Sequence, residues 1–147
     1  MISEKGARSD ESVLVIIDVQ ERLFPSIDKM YRYRIFSSLK KLIATARTLG
    51  IPIIHTEQYP KGLGRTIPEI SALLDGDAIE KTSFSCFGSE EFKDAVADSM
   101  ARYLIIAGIE SHICVNQTAF DAMELGYTPI VVEGATCLLY TSPSPRD

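Results

Sequence analysis

The chain has no tryptophan, only two histidines (His55 and His112) and only three cysteines (Cys86, Cys114 and Cys137) among its 147 residues. An odd number of cysteines without paired spacing does not build a disulfide framework, and suits a reducing compartment, so the cytoplasm is the expected location. The two histidines lie far apart, and no CxxC or HxH cluster offers zinc ligation. No segment approaches the ~18 consecutive apolar residues of a membrane helix. The opening MISEKGARSDES also lacks the apolar region of an export signal. A net charge of −5 with no basic block counts against nucleic acid as a partner. No GxGxxG follows the first apolar run, so the dinucleotide fingerprint is absent.

What the chain does contain is an alternation of apolar runs and helical periods sufficient for one domain. Residues 1–11 are polar and read as a loose N-terminus. Val13–Ile17 is a continuous apolar run, expected as a strand buried on both faces, and it ends in Asp18. Val19–Pro25 then reads as a loop. From about Ile27 to Leu49 the period is helical, with Ile35, Leu39, Leu42, Ile43 and Ala46 on one face and Gly50 as the stop. Ile51–His55 is expected as a second strand, Thr56–Arg65 as a long loop, and Pro68–Leu74 as a short helix. Ala78–Glu80 is expected as a third strand. Ser89 is a natural cap for a helix whose apolar face would be Phe92, Val96 and Met100.

Tyr103–Ala107 is a further buried run, broken at Gly108. From Cys114 the period turns helical through Val115, Ala119, Ala122 and Met123 to a stop at Gly126, and Thr128–Val132 is a fifth strand. Strands alternating with helices and no hairpin signals imply a three-layer, doubly wound, Rossmann-like α/β fold on a five-stranded parallel sheet.

Such sheets form their sites at the carboxyl ends of the strands. Asp18 follows strand one, Lys81 follows strand three, and Cys114 sits on the first turn of the helix after strand four. Unpaired N–H groups and the helix dipole at that turn favour the thiolate. A buried cysteine is more often simply a small hydrophobe, and a lone lysine is normally a solvated charge, so spacing alone does not select Lys81.

The stretches VLVIIDVQERLF (13–24), EKTSFSCF (80–87) and GIESHICVNQTAFDAMELGY (108–127) together resemble the isochorismatase-like cysteine hydrolases, the superfamily that includes nicotinamidases and N-carbamoylsarcosine amidohydrolase. TEQYPKGLG (56–64) is similar to the isochorismatase domain-containing subgroup. The resemblance implies that Asp18, Lys81 and Cys114 form the family's catalytic triad. It also implies an oxyanion hole of the Glu110 and Cys114 backbone N–H groups, aimed by a cis peptide at Ile109–Glu110, and a dimer or tetramer for the full-length protein. The stretch His55–Tyr59 lacks the metal-binding histidines of the nicotinamidases, so no metal and no other cofactor is expected. Isochorismatases proper lack the cysteine, and its presence here favours thiol chemistry on the amide-type C–N bond of a small-molecule substrate.

His112, two residues before Cys114, is expected to be a bystander because Asp18 already holds the base role. Cys86 and Cys137 are expected to be structural. Gln20, Phe24, Tyr59, Phe84 and Phe87 lie on loops at the same sheet edge and are candidates for lining the substrate pocket. An alternative is a catalytically idle, oligomeric interaction module of the same fold. A phosphoacceptor built on Asp18 is weaker, because no acidic neighbours stand beside it to hold Mg²⁺. The hydrolase domain is expected over residues 12–136 and to be cut short, without a further C-terminal helix and strand. Residues 137–147, ending Thr-Ser-Pro-Ser-Pro-Arg-Asp, are expected as a loose, non-native tail.

Overall fold

The computed structural model describes residues 8–139, with the side chains of 110–115 and 137–139 outside the described residues. Among the described residues five strands form one sheet: β1 (Ser12–Ile17), β2 (Ile53–Gln58), β3 (Ile79–Lys81), β4 (Tyr103–Ser111) and β5 (Thr128–Leu139). Their order is β3-β2-β1-β4-β5 and each neighbouring pair is parallel. The helices are α1 (Lys29–Leu49), the single turns α2 (Pro60–Leu63) and α3 (Pro68–Ser71), α4 (Glu90–Asp98) and α5 (His112–Glu124). The expected α/β architecture is thus the observed one. Among the described residues no helix is long and apolar enough to cross a membrane.

Every residue of β1 is buried, as a central strand between two neighbours must be. Its side chains alternate between two cores. Leu14 and Ile16 pack with Ile35, Leu39, Ile43 and Ala46 of α1 on one face. Val13, Val15 and Ile17 pack with Phe92 and Val96 of α4 and Ala122 of α5 on the other. This two-sided burial is why the run carries no polar residue until Asp18. Asp28 caps α1 by accepting from the Met30 N–H, and Gly50, at φ 75°, closes it by donating to the Ala46 and Arg47 carbonyls.

Several boundaries differ from the sequence-based expectation, for local reasons. β2 starts at Ile53 and runs to Gln58, because Glu57 and Gln58 find partners on distant segments. Lys81 is the last residue of β3 rather than the first of a loop. α4 ends at Asp98, so Met100 leaves its face and stands 81% exposed at φ 61°. Met123 of α5 is exposed, while Thr118 and Ala122 carry the buried face of that helix. β4 does not stop at Gly108 but continues to Ser111. β5 likewise passes Val132, and Cys137, Leu138 and Leu139 pair with Ile109, Glu110 and Ser111. Tyr140 onward lies outside the described residues.

Candidate active site

β1 delivers Asp18 at its carboxyl end in a left-handed backbone conformation, φ 54°, that aspartate tolerates better than most residues. The turn is held by the Asp18 N–H donating to the Thr56 carbonyl at 3.1 Å and by the Gln20 N–H donating to the Asp18 carbonyl at 2.9 Å. Two strands away, β3 delivers Lys81, whose ammonium lies 3.1 Å from Asp18 Oδ2. Both residues are 3% exposed, so this ion pair is screened from water. The pair is fully hydrogen-bonded, as a buried pair must be. Thr56 Oγ1 donates to Asp18 Oδ1 at 2.7 Å, while Lys81 Nζ also reaches Gln58 Oε1 at 2.8 Å and the Ser83 carbonyl at 3.4 Å. Among the described residues the ammonium's N–H donors thus meet a carboxylate, an amide oxygen and a backbone carbonyl. A lone lysine, unremarkable in sequence, is therefore firmly anchored at this sheet edge.

β4, on the other side of β1, leads straight into α5, and Cys114 is the third residue of that helix. The side chains of Cys114, Glu110 and His112 lie outside the described residues, as does that of Cys137. The expected Ile109–Glu110 cis peptide rests on Glu110 and falls outside them too; among the described residues there is no cis peptide bond.

The five pocket candidates separate into different roles. Gln20 is fully buried, and its amide clamps the loop that follows β2. Its Nε2 donates to the Gln58 and Gly64 carbonyls at 2.9 and 2.7 Å, and its Oε1 accepts from the Gln58 N–H at 2.7 Å. Phe87 is in the core, edge-on to Phe92 with centroids 5.0 Å apart and stacked on Tyr127 at 6.1 Å. Both are structural placements. Tyr59, an exposed ring, lines a cavity of about 480 Å³ with Pro60, Lys61, Glu80, Lys81 and Ser83. The Lys81 side chain is wholly buried, so this cavity borders the strand that carries it rather than its ammonium. Phe24 lines another cavity of about 420 Å³, against Tyr33 and Phe36 of α1, to which neither Asp18 nor Lys81 contributes. Phe84 is exposed.

Three supporting residues carried no sequence signal: Thr56, Gln58 and Ser83 hold the ion pair through groups that any strand or loop could carry. Cys86, expected to be structural, is fully buried. His55 is buried in β2 beside Ile16, and desolvation holds its imidazole below the usual histidine range despite Glu57 and Asp77. Among the described residues no group of three or more His, Cys, Asp or Glu side chains is arranged to hold a metal ion.

Glu57, the residue between Thr56 and Gln58, is 4% exposed and anchors the far end of the loop. It accepts from the Thr66 N–H and hydroxyl, both at 2.8 Å, and from Arg65 Nη1 at 3.2 Å. Burial pushes its carboxyl up, but these donors together outweigh burial and leave it below the ordinary carboxylate range. A carboxyl whose folded value is depressed stabilises the fold above its unfolded value, about 4.3 for glutamate, and that stability is lost as pH falls through the folded value. Glu57→Gln should therefore lower the melting temperature at pH 7 and narrow the gap to wild type as pH falls below about 4. A gap that does not change with pH would mean that Glu57 contributes through shape and not charge.

Comparison with known proteins gives a consistent result. A family model, the isochorismatase domain, matches residues 12–143. Isochorismatase domain-containing protein 2 of Xenopus laevis is 37% identical over 134 residues, which cover 91% of this chain and 63% of that protein. The chain thus spans less than two thirds of that relative's length. Among solved structures, a MAR1 ribonuclease from Caenorhabditis elegans is similar at 37% identity and a TM-score of 0.78, over 88% of this chain and 66% of that one. An octameric hydrolase of unknown specificity from Escherichia coli superposes with a TM-score of 0.83 over 90% of this chain and 67% of that one; at 24% identity the likeness is one of fold.

Proposed function

The chain belongs to the isochorismatase domain family, a family of hydrolases, and we propose that it is a metal-independent cysteine amidohydrolase acting on a small amide or ureide. The observation that carries this reading is the buried Asp18–Lys81 pair, 3.1 Å apart at the edge from which β4 runs into the Cys114 helix. A buried carboxylate at a sheet edge, held by a cation it does not need for packing, is suited to moving a proton.

In the proposed cycle the Cys114 sulfur attacks the substrate carbonyl carbon and its proton passes to Asp18. The C=O electron pair moves onto oxygen, which the backbone N–H groups of Glu110 and Cys114 receive. Collapse of this intermediate breaks the C–N bond, and Asp18 returns the proton to the departing nitrogen. Water then attacks the thioester and gives one proton to Asp18. The thiolate leaves and is reprotonated, and the carboxylic acid departs. Lys81 stays charged throughout and keeps the carboxylate of Asp18 in place. Tyr59 and Phe84, both exposed at this edge, are the pocket candidates that retain a role in contacting substrate. A homo-oligomer of family type belongs to the same reading.

Timed iodoacetamide labelling at pH 7 with peptide mapping tests the nucleophile. Cys114 should be alkylated before Cys137 and well before the fully buried Cys86. Equal rates at all three would favour the idle interaction module. A screen of amides and ureides with ammonia detection, run with and without EDTA, identifies the substrate class. It should include an RNA arm because of the similarity to the MAR1 ribonuclease. Ammonia release unaffected by EDTA is the expected result; activity lost with EDTA and restored by zinc would replace this mechanism with a metal-assisted one.

A further inference from the structure

Thr118 is fully buried on α5, four residues and hence one helical turn after Cys114. Its hydroxyl reaches outside its own helix: Oγ1 accepts a hydrogen bond from the Cys86 backbone N–H at 3.1 Å. Cys86 opens the short 3-10 turn Cys86–Gly88 in the loop that leaves β3 directly after Lys81. That loop is stapled internally by Ser83 Oγ donating to the Ser85 carbonyl at 2.7 Å and by the Phe87 N–H donating to Ser85 Oγ at 3.1 Å. At its near end the Ser83 carbonyl accepts from Lys81 Nζ, which holds Asp18. A continuous set of contacts therefore runs from the Cys114 helix through Thr118, Cys86 and Ser83 to the Lys81–Asp18 pair.

We infer that Thr118 is a positioning residue, whose hydroxyl fixes the distance between the Cys114 helix and the Lys81–Asp18 pair. The inference rests on the proposed nucleophilic role of Cys114. The reason a hydroxyl is needed is specific. Thr118 and Cys86 are 32 residues apart in sequence and meet at a core that includes Phe87, Phe92, Val96 and Ala122. Apolar packing there is non-directional and tolerates sliding of the helix along its axis. One hydrogen bond between a helix side chain and a loop backbone does not tolerate it. Displacements of about 1 Å at a nucleophile can lower turnover by as much as 10²-fold, so register at this contact bears directly on rate.

The test uses the full 147-residue chain and three variants: Thr118→Val, which keeps the shape and removes the acceptor; Thr118→Ser, which keeps the acceptor; and Thr118→Ala, which leaves room for a water should Thr118→Val fail to fold. Cys114 alkylation rate is measured against pH, and kcat and KM on whichever substrate the screen yields. In Thr118→Val or Thr118→Ala the alkylation profile should move to higher pH and kcat should fall by about 10-fold or more with KM little changed, while Thr118→Ser restores both. A merely structural Thr118 would lower the melting temperature but leave the pH profile of the folded protein at its wild-type position, and that result overturns the inference. If wild-type Cys114 shows no selective labelling, the nucleophile reading itself fails and this inference falls with it. Selective labelling that is identical in the wild type and Thr118→Val defeats the positioning role alone.

Discussion

Lys81→Met should lower the free energy of unfolding by about 3–5 kcal/mol, the range for removing one partner of a buried ion pair. Among the described residues the Asp18 carboxylate, 3% exposed, would keep the Thr56 hydroxyl as its side-chain donor, and Gln58 Oε1 would lose the ammonium it accepts from. Asp18→Asn keeps the shape but removes the Asp18 charge from beside the buried ammonium, and should also destabilise. The double substitution Asp18→Asn with Lys81→Met should recover part of both losses, because neither charge is then left unpaired. Denaturant titration measures this as a shift in midpoint at constant slope. Activity should follow a different rule: each single variant should lose about 10²-fold or more, and the double variant should not recover it. Restoration of stability without restoration of turnover is the signature expected of a pair that is kept for its chemistry. A Lys81→Met protein as stable and active as wild type would remove the central support of the proposed mechanism.

The parts of this molecule that were legible in the sequence are those decided by local pattern. Val13–Ile17 had to be a central strand because five consecutive apolar residues have no other use in a parallel sheet. The α1 face was readable from its spacing, and of its expected members only Leu42 is partly rather than fully buried. Asp18 stood out because it ends such a run. Lys81 did not stand out on physical grounds at all; its motif pointed to it, and the reason it matters is visible only when Asp18, Gln58 and Ser83 surround it. Glu57 and Gln58 read as loop because they open a stretch with two Gly and a Pro, yet each is satisfied by a partner on a separate segment, Thr66 and Gln20. Gln20 and Phe87 are expected at the pocket because they lie on loops at the same sheet edge. One holds backbone and the other fills the core, since loop residues next to a motif also have to support it.

Gly108 is the position where the sequence pattern breaks the apolar run and the structure has a strand that continues. In β4 it sits in register with Ile17, the residue before Asp18, at φ 133°, a conformation that residues with a side chain rarely adopt. A Cβ at this site would overlap the Ile17 carbonyl oxygen and stand 2.6 Å from the Ile17 nitrogen and 2.9 Å from its carbonyl carbon. These are backbone atoms of the central strand and cannot turn aside as a side chain would. On the other side, the β4 pairing with β5 jumps from Ile106–Val131 to Gly108–Thr136, so the extra residues of this irregularity lie in β5. Gly108→Ala combines backbone strain of roughly 1–3 kcal/mol with overpacking of about the same size, set against a total stability of about 5–15 kcal/mol for a domain. It should therefore produce a large drop in melting temperature or loss of soluble protein. Whatever fraction still folds should show slowed Cys114 alkylation, because β1 and β4 are pushed apart where Asp18 begins. Gly50→Ala is the control: φ is 75° but nothing lies within 4 Å of the added carbon. It should cost only the left-handed strain of about 1–2 kcal/mol and leave alkylation unchanged. Equal losses in the two variants would mean that the approach of β4 to Ile17 is looser than the geometry indicates, and that the sheet does not need a glycine there to bring the nucleophile helix up to its acid–base partner.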